Sequence, residues 1–562
     1  MRPAAWFALF LALALPVRAG GGPENVLVVQ NDLCPDSVDL ARFYMEKRDV
    51  PRHQVVHVAI PGGAKKDDKK DPKGKPPPPA SGEWAPRESF ATFDEYRTLL
   101  ETPVKDWLAA HPDAKITVVL LTRGIPVCTP VKNATTNEIV RATTHILAGM
   151  FVEKDDLRTG PAGHQGSGSP FYREDVSIDP AEPLKGEWKL LPVGHFDAFN
   201  VADARKSLEQ AILSDGKRPD GTVYLGQSKE GDPRGMYSPN FPKLSEFVAG
   251  LGGKAEIVPH DPGGVLLAGR KDVALYMFGQ AKWEESFPAK NTYQPGCLVD
   301  NITSVALTWR CFVDGYNGGQ TPMTHFLAAG ATVIHGCVRE PTTGAWDPEY
   351  LHLRRFYSGY NVLESFYLGH PWFPWMNLVA GDPLTQPFAQ RPVVTAELTG
   401  EKGAQALNVD AKTTREGAGI RAIRVYADGV LLGEAQSGRP FALPTTWDPL
   451  VNSWTAVAID DSKFRTQGSA SAPPLAKDAS RVTVKFDSAL KGTASFRVTH
   501  SGKEPVLIWA SPGVKGRTGV VKGTRLKLEL EDETKGARVE FWVKNAKEGS
   551  GPIRVDVPGK KK

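Results

Sequence analysis

Between Asp272 and Phe388 the chain sets Gln280, Cys297, His335 and Cys337 beside short apolar runs, where an enzyme could use them. Val273 to Phe278 leads into Gly279-Gln280, Pro295-Gly296-Cys297 follows, Ala331 to Ile334 leads into His335-Gly336-Cys337, and Gly381-Asp382-Pro383-Leu384 closes the region. Cysteine attacks as its thiolate, so it needs a nearby base or positive charge to be a nucleophile near neutral pH. Histidine can be that base, whereas the amide of Gln280 cannot take up a proton as imidazole does. The catalytic candidates are therefore Cys297, His335 and Gln280. Cys297 has three readings: a structural thiol or half of a disulfide with Cys311, a nucleophile served by His335 or another histidine, or the marker of a binding cleft without catalysis. His335 and Cys337 share a face if the strand continues through Gly336, although glycine there argues for a turn.

These residues need elements to hold them. Asn25 to Gln30, Gln54 to Ile60, Lys115 to Leu121, Thr222 to Leu225, Ala255 to Val258, Val273 to Phe278 and Ala331 to Ile334 read as strands. Between them lie helical patterns from Ser37 to Lys47, Phe93 to Ala110, Pro242 to Leu251 and Thr321 to Ala329. Continuous apolar strands separated by amphipathic helices predict an α/β domain with a mostly parallel sheet, caspase-like or flavodoxin-like, over 20–392. Ligands of such sheets bind beyond the carboxyl ends of the strands. That rule makes Asp32, Arg123, Trp283 and Glu340 ligand-binding candidates, although loops begin with polar residues at these positions in any α/β protein.

After Pro392 the pattern becomes short alternating segments, with Asp428-Gly429 marking a hairpin. An immunoglobulin-like β-sandwich over 393–470 and a second sandwich with a basic tail over 471–562 fit this stretch. Gln467 to Ala476 reads as the linker between them. The Lys/Asp-rich and Pro-rich stretch 62–86 reads as a disordered insertion, and Thr159 to Gly186 as a long loop.

The first residues combine Arg2, an apolar run from Trp6 to Leu15 and Val17-Arg18-Ala19, which predicts a signal peptide over 1–19 and an extracytoplasmic protein, periplasmic or secreted. No later run approaches the roughly 20 apolar residues of a spanning helix. The formal charge of +4 falls to +2 once Arg2 and Arg18 are removed, too near neutral to suggest nucleic acid. Five cysteines in 562 residues cannot form a disulfide scaffold. No metal or cofactor is expected: there is no His-Glu-x-x-His and no paired Cys-x-x-Cys, and Asp155-Asp156 and His164 fall in polar loop sequence. Gly250-Leu251-Gly252-Gly253 follows a helix, so it does not form a phosphate loop. Asn133-Ala134-Thr135 matches a glycosylation site, and Trp372-Phe373-Pro374-Trp375 reads as buried packing or a sugar platform.

Over Glu24 to Phe388 the chain resembles a conserved, functionally uncharacterised family of secreted bacterial proteins. The resemblance rests on Asn25-Val26-Leu27-Val28-Val29, Pro35-Asp36-Ser37, Arg48-Asp49-Val50-Pro51, Leu121-Thr122-Arg123-Gly124-Ile125-Pro126, Ser169-Pro170-Phe171-Tyr172, His195-Phe196-Asp197-Ala198, Gly330-Ala331-Thr332, Glu340-Pro341 and Gly381-Asp382-Pro383-Leu384. More distantly it resembles the gingipain-type cysteine peptidases of caspase-like fold. In that pattern one strand ends in His-Gly and a later one in the nucleophilic cysteine. The resemblance sets Leu275 to Gln280, with Trp283, near the first and Cys297 near the second, with no histidine between His260 and His325 to act as base. It therefore implies a peptidase-like domain lacking a standard Cys-His dyad, used to bind or scaffold an envelope or extracellular protein or glycan. The competing expectation is a hydrolase, a cysteine peptidase with a rearranged base.

Overall fold

The computed structural model describes residues 21–51, 53–62, 86–112, 114–133, 136–152, 168–175, 178, 189–228, 233–259, 267–313, 320–400, 405–427, 429–443, 454–472, 482–490, 492–500, 506–510, 518–521, 523–530, 537–543 and 553–558. The predicted signal peptide, Asp155, Asp156, His164, Ala134, Thr135 and nearly all of the 62–86 insertion lie outside the described residues.

In chain order the strands of the α/β domain are β1 (Val26–Asn31), β2 (Val55–Val58), β3 (Val118–Thr122), β4 (Cys128–Asn133), β5 (Thr136–Ala142), β6 (Val193–Phe196), β7 (Thr222–Gln227), β8 (Lys254–Pro259), β9 (Val273–Phe278), β10 (Tyr293–Asn301), β11 (Val333–Cys337) and β12 (Asn377–Gly381). Ten of them form one sheet in the order β2-β1-β3-β6-β12-β11-β10-β9-β7-β8, and β4 and β5 pair separately as a hairpin. The pairs on either side of β12 are parallel, and β12 runs antiparallel to β11. Every residue of β1, β3, β9, β11 and β12 is buried. Helices cover both faces of such strands, which explains their unbroken Val/Leu/Ile runs.

The helices are α1 (Pro35–Lys47), α2 (Phe93–Tyr96), which passes through a π turn at Arg97–Glu101 into α3 (Thr102–Ala110), α4 (Thr143–Ala148), α5 (Val201–Ser214), α6 (Phe241–Gly250), α7 (Thr324–Ala329), α8 (Leu351–Ser358) and α9 (Val362–Gly369). The helical pattern was read from Ser37, but α1 begins two residues earlier. The Ser37 hydroxyl accepts from the Asn31 amide at 2.8 Å and meets Thr122 Oγ1 at 2.7 Å, fastening α1 to β1 and β3.

Two glycines of the central region lie inside strands. Pro295-Gly296 does not break the chain. Gly296 takes φ +84° inside β10, and the register with β9 shifts between Tyr293 and Leu298. A Cβ at Gly296 would lie 2.6 Å from Ser214 Oγ of α5, so glycine permits both the bulge and the close helix. Gly336 does not turn the chain either: β11 continues through Cys337, and the missing side chain makes room for Leu307.

Beyond Pro392 a three-stranded and a four-stranded antiparallel sheet enclose Leu407, Val409, Ile423, Val425, Ala456 and Ala458. Gln467–Ala472, expected to be linker, is instead the edge strand of the second sheet, paired with Trp454–Asp460. This unit docks on the α/β domain, with the Phe464 ring 4.9 Å from that of Tyr360 and Lys463 Nζ 2.6 Å from Asp175. A further pair of antiparallel sheets spans Val482 to Val557 around Phe496, Ile508, Val539 and Phe541. Among the described residues no helix is long and apolar enough to cross a membrane.

Candidate functional site

The densest polar chemistry surrounds Asp300, which sequence reasoning missed. Asp300 sits in the register position beside His335 of β11. Its Oδ1 accepts from His335 Nδ1 at 2.6 Å and its Oδ2 from His352 Nε2 of α8 at 2.7 Å. His335 Nε2 in turn accepts from Asn377 Nδ2 of β12 at 3.0 Å. Asp300, His335 and His352 expose no surface. Burial alone would push Asp300 up, yet the two imidazoles outweigh it and hold the carboxyl well below its usual range. Burial pushes His335 below the ordinary imidazole value despite Asp300. The ring of His370 lies 4.8 Å from both His335 and His352, and burial with those neighbours drives it well below that value too. The group binds β10, β11, β12 and α8 together, and its burial leaves no surface for a substrate to reach. Only one trace was legible in the sequence, an acid standing inside the apolar run Leu298-Val299-Asp300.

Cys297 and His335 are not brought together. Asp300 is level with His335, and Cys297 lies three residues back along β10, about 10 Å at the rise of an extended strand. Both ring nitrogens of His335 are already engaged. All five cysteines are free and buried, so the expected Cys297–Cys311 disulfide is absent. Cys311 instead meets Thr308 Oγ1 at 3.6 Å in the turn Trp309–Phe312. Burial pushes the thiols of Cys34, Cys128 and Cys311 up to about 12, and raises those of Cys297 and Cys337 as well.

Gln280 does sit at the carboxyl end of β9, and the residue facing it is Asn301, not a cysteine. The Gln280 amide donates to Asn301 Oδ1 at 2.9 Å, and Asn301 Nδ2 donates back to the Gln280 carbonyl at 2.9 Å. Trp283 is held close by: its backbone amide donates to Thr321 Oγ1 at 3.0 Å. Thr303 Oγ1 lies between Arg234 Nε at 3.3 Å and Gln320 Oε1 at 2.9 Å. Two buried polar atoms here, Gln280 Oε1 and Trp283 Nε1, have no partner. One is an acceptor and the other a donor, so this edge holds unused hydrogen-bonding capacity.

The four ligand-binding candidates do not form one pocket. Arg123 and Trp283 follow strands five places apart in the sheet, about 24 Å at the usual strand spacing. Arg123 is also fully committed, to Asp197 at 2.7 Å, Asp36 at 3.2 Å and the carbonyls of Ala198 and Phe199. Asp32 meets His57 Nδ1 at 2.9 Å, and Glu340 is exposed. An aromatic row links the Arg123 region to Trp283: His325 of α7 lies 4.6 Å from the Phe199 ring and 5.8 Å from that of Trp283. Among the described residues no group of three or more His, Cys, Asp and Glu could hold a metal ion.

The molecule is thus an α/β protein with one large, mostly parallel sheet flanked by helices and followed by small antiparallel sheets. No protein-family model matches the chain and no curated protein does, so the uncharacterised-family resemblance gains no support from either. Among solved structures it is similar to the Arg-specific cysteine proteinase gingipain R (TM-score 0.43, 11% identity, 81% of this chain and 99% of that one). It is likewise similar to the complex of Porphyromonas gingivalis RgpB pro- and mature domains (TM-score 0.39, 11% identity, 80% and 99%). A third is the fibronectin(III)-like modules of Clostridium thermocellum CbhA (TM-score 0.13, 14% identity, 30% and 94%). At such identity and overlap the likeness carries no functional argument, and the fold class stands on the sheet itself.

Proposed function

We propose that this is an extracytoplasmic binding or scaffold protein whose α/β domain offers the carboxyl edge of β9 and β10 to an envelope or extracellular protein or glycan. The observation that carries the reading is the state of the thiols: all five are buried and pushed up by burial, and the candidate base His335 is tied to Asp300 and Asn377. A thiol hydrolase needs the reverse, an accessible cysteine whose proton is easily lost. The β9–β10 edge supports the binding half of the proposal because ligands of such sheets bind beyond the carboxyl ends of the strands, where Gln280, Asn301 and Thr303 lie. Export is supported by the N-terminal charge and apolar pattern.

Native alkylation tests the reading. Iodoacetamide is expected to leave the folded protein unmodified and to label five thiols after denaturation. Stoichiometric labelling of Cys297 in the folded state, with loss of a peptide-hydrolysing activity that Cys297→Ala also lacks, would establish the cysteine peptidase instead.

A further inference from the structure

Beside the Asp300 group lies a cavity of about 20 Å³ lined by Thr144, His145, Val193, Leu363, Phe366, Tyr367, His370, Asn377 and Val379. That volume suits one water molecule, which needs roughly 10–15 Å³ and two to four polar partners. The protonation of each polar wall follows from its other hydrogen bonds. His370 Nδ1 lies 2.9 Å from the Ala345 carbonyl, which can only accept, so the proton is on Nδ1 and Nε2 carries a lone pair. That Nε2 is buried and has no partner. Asn377 donates its amide nitrogen to His335, and its Oδ1 is a second buried acceptor without a partner. His145 is the opposite case: its Nδ1 accepts from the Trp375 amide at 3.0 Å, which leaves the proton on Nε2.

We propose that this cavity is a binding site for one water molecule, which donates to His370 Nε2 and Asn377 Oδ1 and accepts from His145 Nε2–H. Two acceptors and one donor are what a neutral water can satisfy. A metal ion would find only two lone pairs and face the N–H of His145, and an ammonium ion could not accept from that N–H. The water joins α4, the residue after α9 and the start of β12 through one molecule, extending the network from Asp300 through His335 and Asn377. The inference is independent of any partner at the β9–β10 edge.

A high-resolution crystal structure combined with ring ¹⁵N NMR tests it. The expected result is a single ordered water within hydrogen-bond distance of all three side chains, with His370 as the Nδ1–H tautomer and His145 as the Nε2–H tautomer. Anomalous signal from a metal, a cavity without density, or either histidine in the other tautomer would overturn it. Val379→Ile, which adds a methylene to the wall, is expected to remove one long-lived water from water relaxation dispersion while the circular dichroism is kept. An unchanged count of long-lived waters in that folded variant would overturn the proposal as well, and if the variant fails to fold the wild-type density decides.

Discussion

Asp300 is the residue on which the centre of the sheet turns, because its two oxygens accept hydrogen bonds from two imidazoles on different elements. Removing it strands two buried N–H donors, and breaking a buried, hydrogen-bonded pair in this way is strongly destabilising. Asp300→Ala is therefore expected to lose about 3–5 kcal/mol in urea unfolding. A loss below about 1 kcal/mol, with the m-value unchanged, would mean the imidazoles find other acceptors. At this scale the sequence drew attention to the wrong partner for His335. Cys297 stood out because thiols are rare in this chain and carry chemistry, whereas Asp300 was hidden among apolar neighbours. Its partner His352 is more than fifty residues further on, and only the fold brings the two together. Gln280 was rightly placed at the end of its strand, but nothing in the sequence showed that Asn301 would face it.

The ends of β9 and β10 are held by a close backbone approach, an effect that belongs to elements more than to side chains. A Cβ at Gly279 would lie 2.3 Å from the carbonyl oxygen of Arg234, in the short turn Pro233–Gly235. Gly279→Ala must push that turn aside and with it Arg234, which contacts Thr303. Strain of this kind typically costs about 1–3 kcal/mol. The variant is expected to show a lowered melting temperature together with weakened binding of any partner at this edge; a wild-type melting temperature would show that the turn yields freely. The strands that were legible are the long, unbroken apolar runs, above all β9, whose bounds agree with the reading from Val273 to Phe278. Those missed are the hairpin β4 and β5 and, within the large sheet, β6, β10 and β12. β6 and β12 have only four and five residues and include a glycine, too short for a clear period, and β10 is masked by the Pro-Gly pair that its bulge requires. The helices that were read, α1, α2 with α3, α6 and α7, agree to within a few residues, since amphipathic spacing survives at their centres while their ends depend on contacts such as Ser37 with Thr122; α4, α5, α8 and α9 were not read.

Across the whole molecule, buried titratable groups pull the pH dependence of stability in two directions. Burial first, then neighbouring charge, lowers His145 to about 3 and His53 to about 4 and depresses His335 and His370 as well. A histidine whose folded value is depressed contributes fully above its unfolded value of about 6.5, and that stability is lost as pH falls below it. Glu24 acts in the opposite sense. It is buried where the second unit docks, its Oε1 has no partner, and burial raises it to about 7 against the weaker pull of Arg391 and Arg424. Between its unfolded value near 4.3 and about 7 the folded state binds more protons there than the unfolded chain, so stability falls as pH rises through that window. Together these groups predict opposing slopes between about pH 4 and 7, the histidines raising stability with pH and Glu24 lowering it, and a plateau above about pH 7. Glu24→Gln keeps the shape and removes the ionisation. At pH 8 it is expected to stabilise the protein by about 3–4 kcal/mol, the size of the carboxylate's penalty there, and at pH 4.5 to change little. Urea unfolding of both proteins across pH 4.5 to 8.5 reads this out. A stability difference between the two proteins that stays constant from pH 4.5 to pH 8 would show that Glu24 does not ionise in this window.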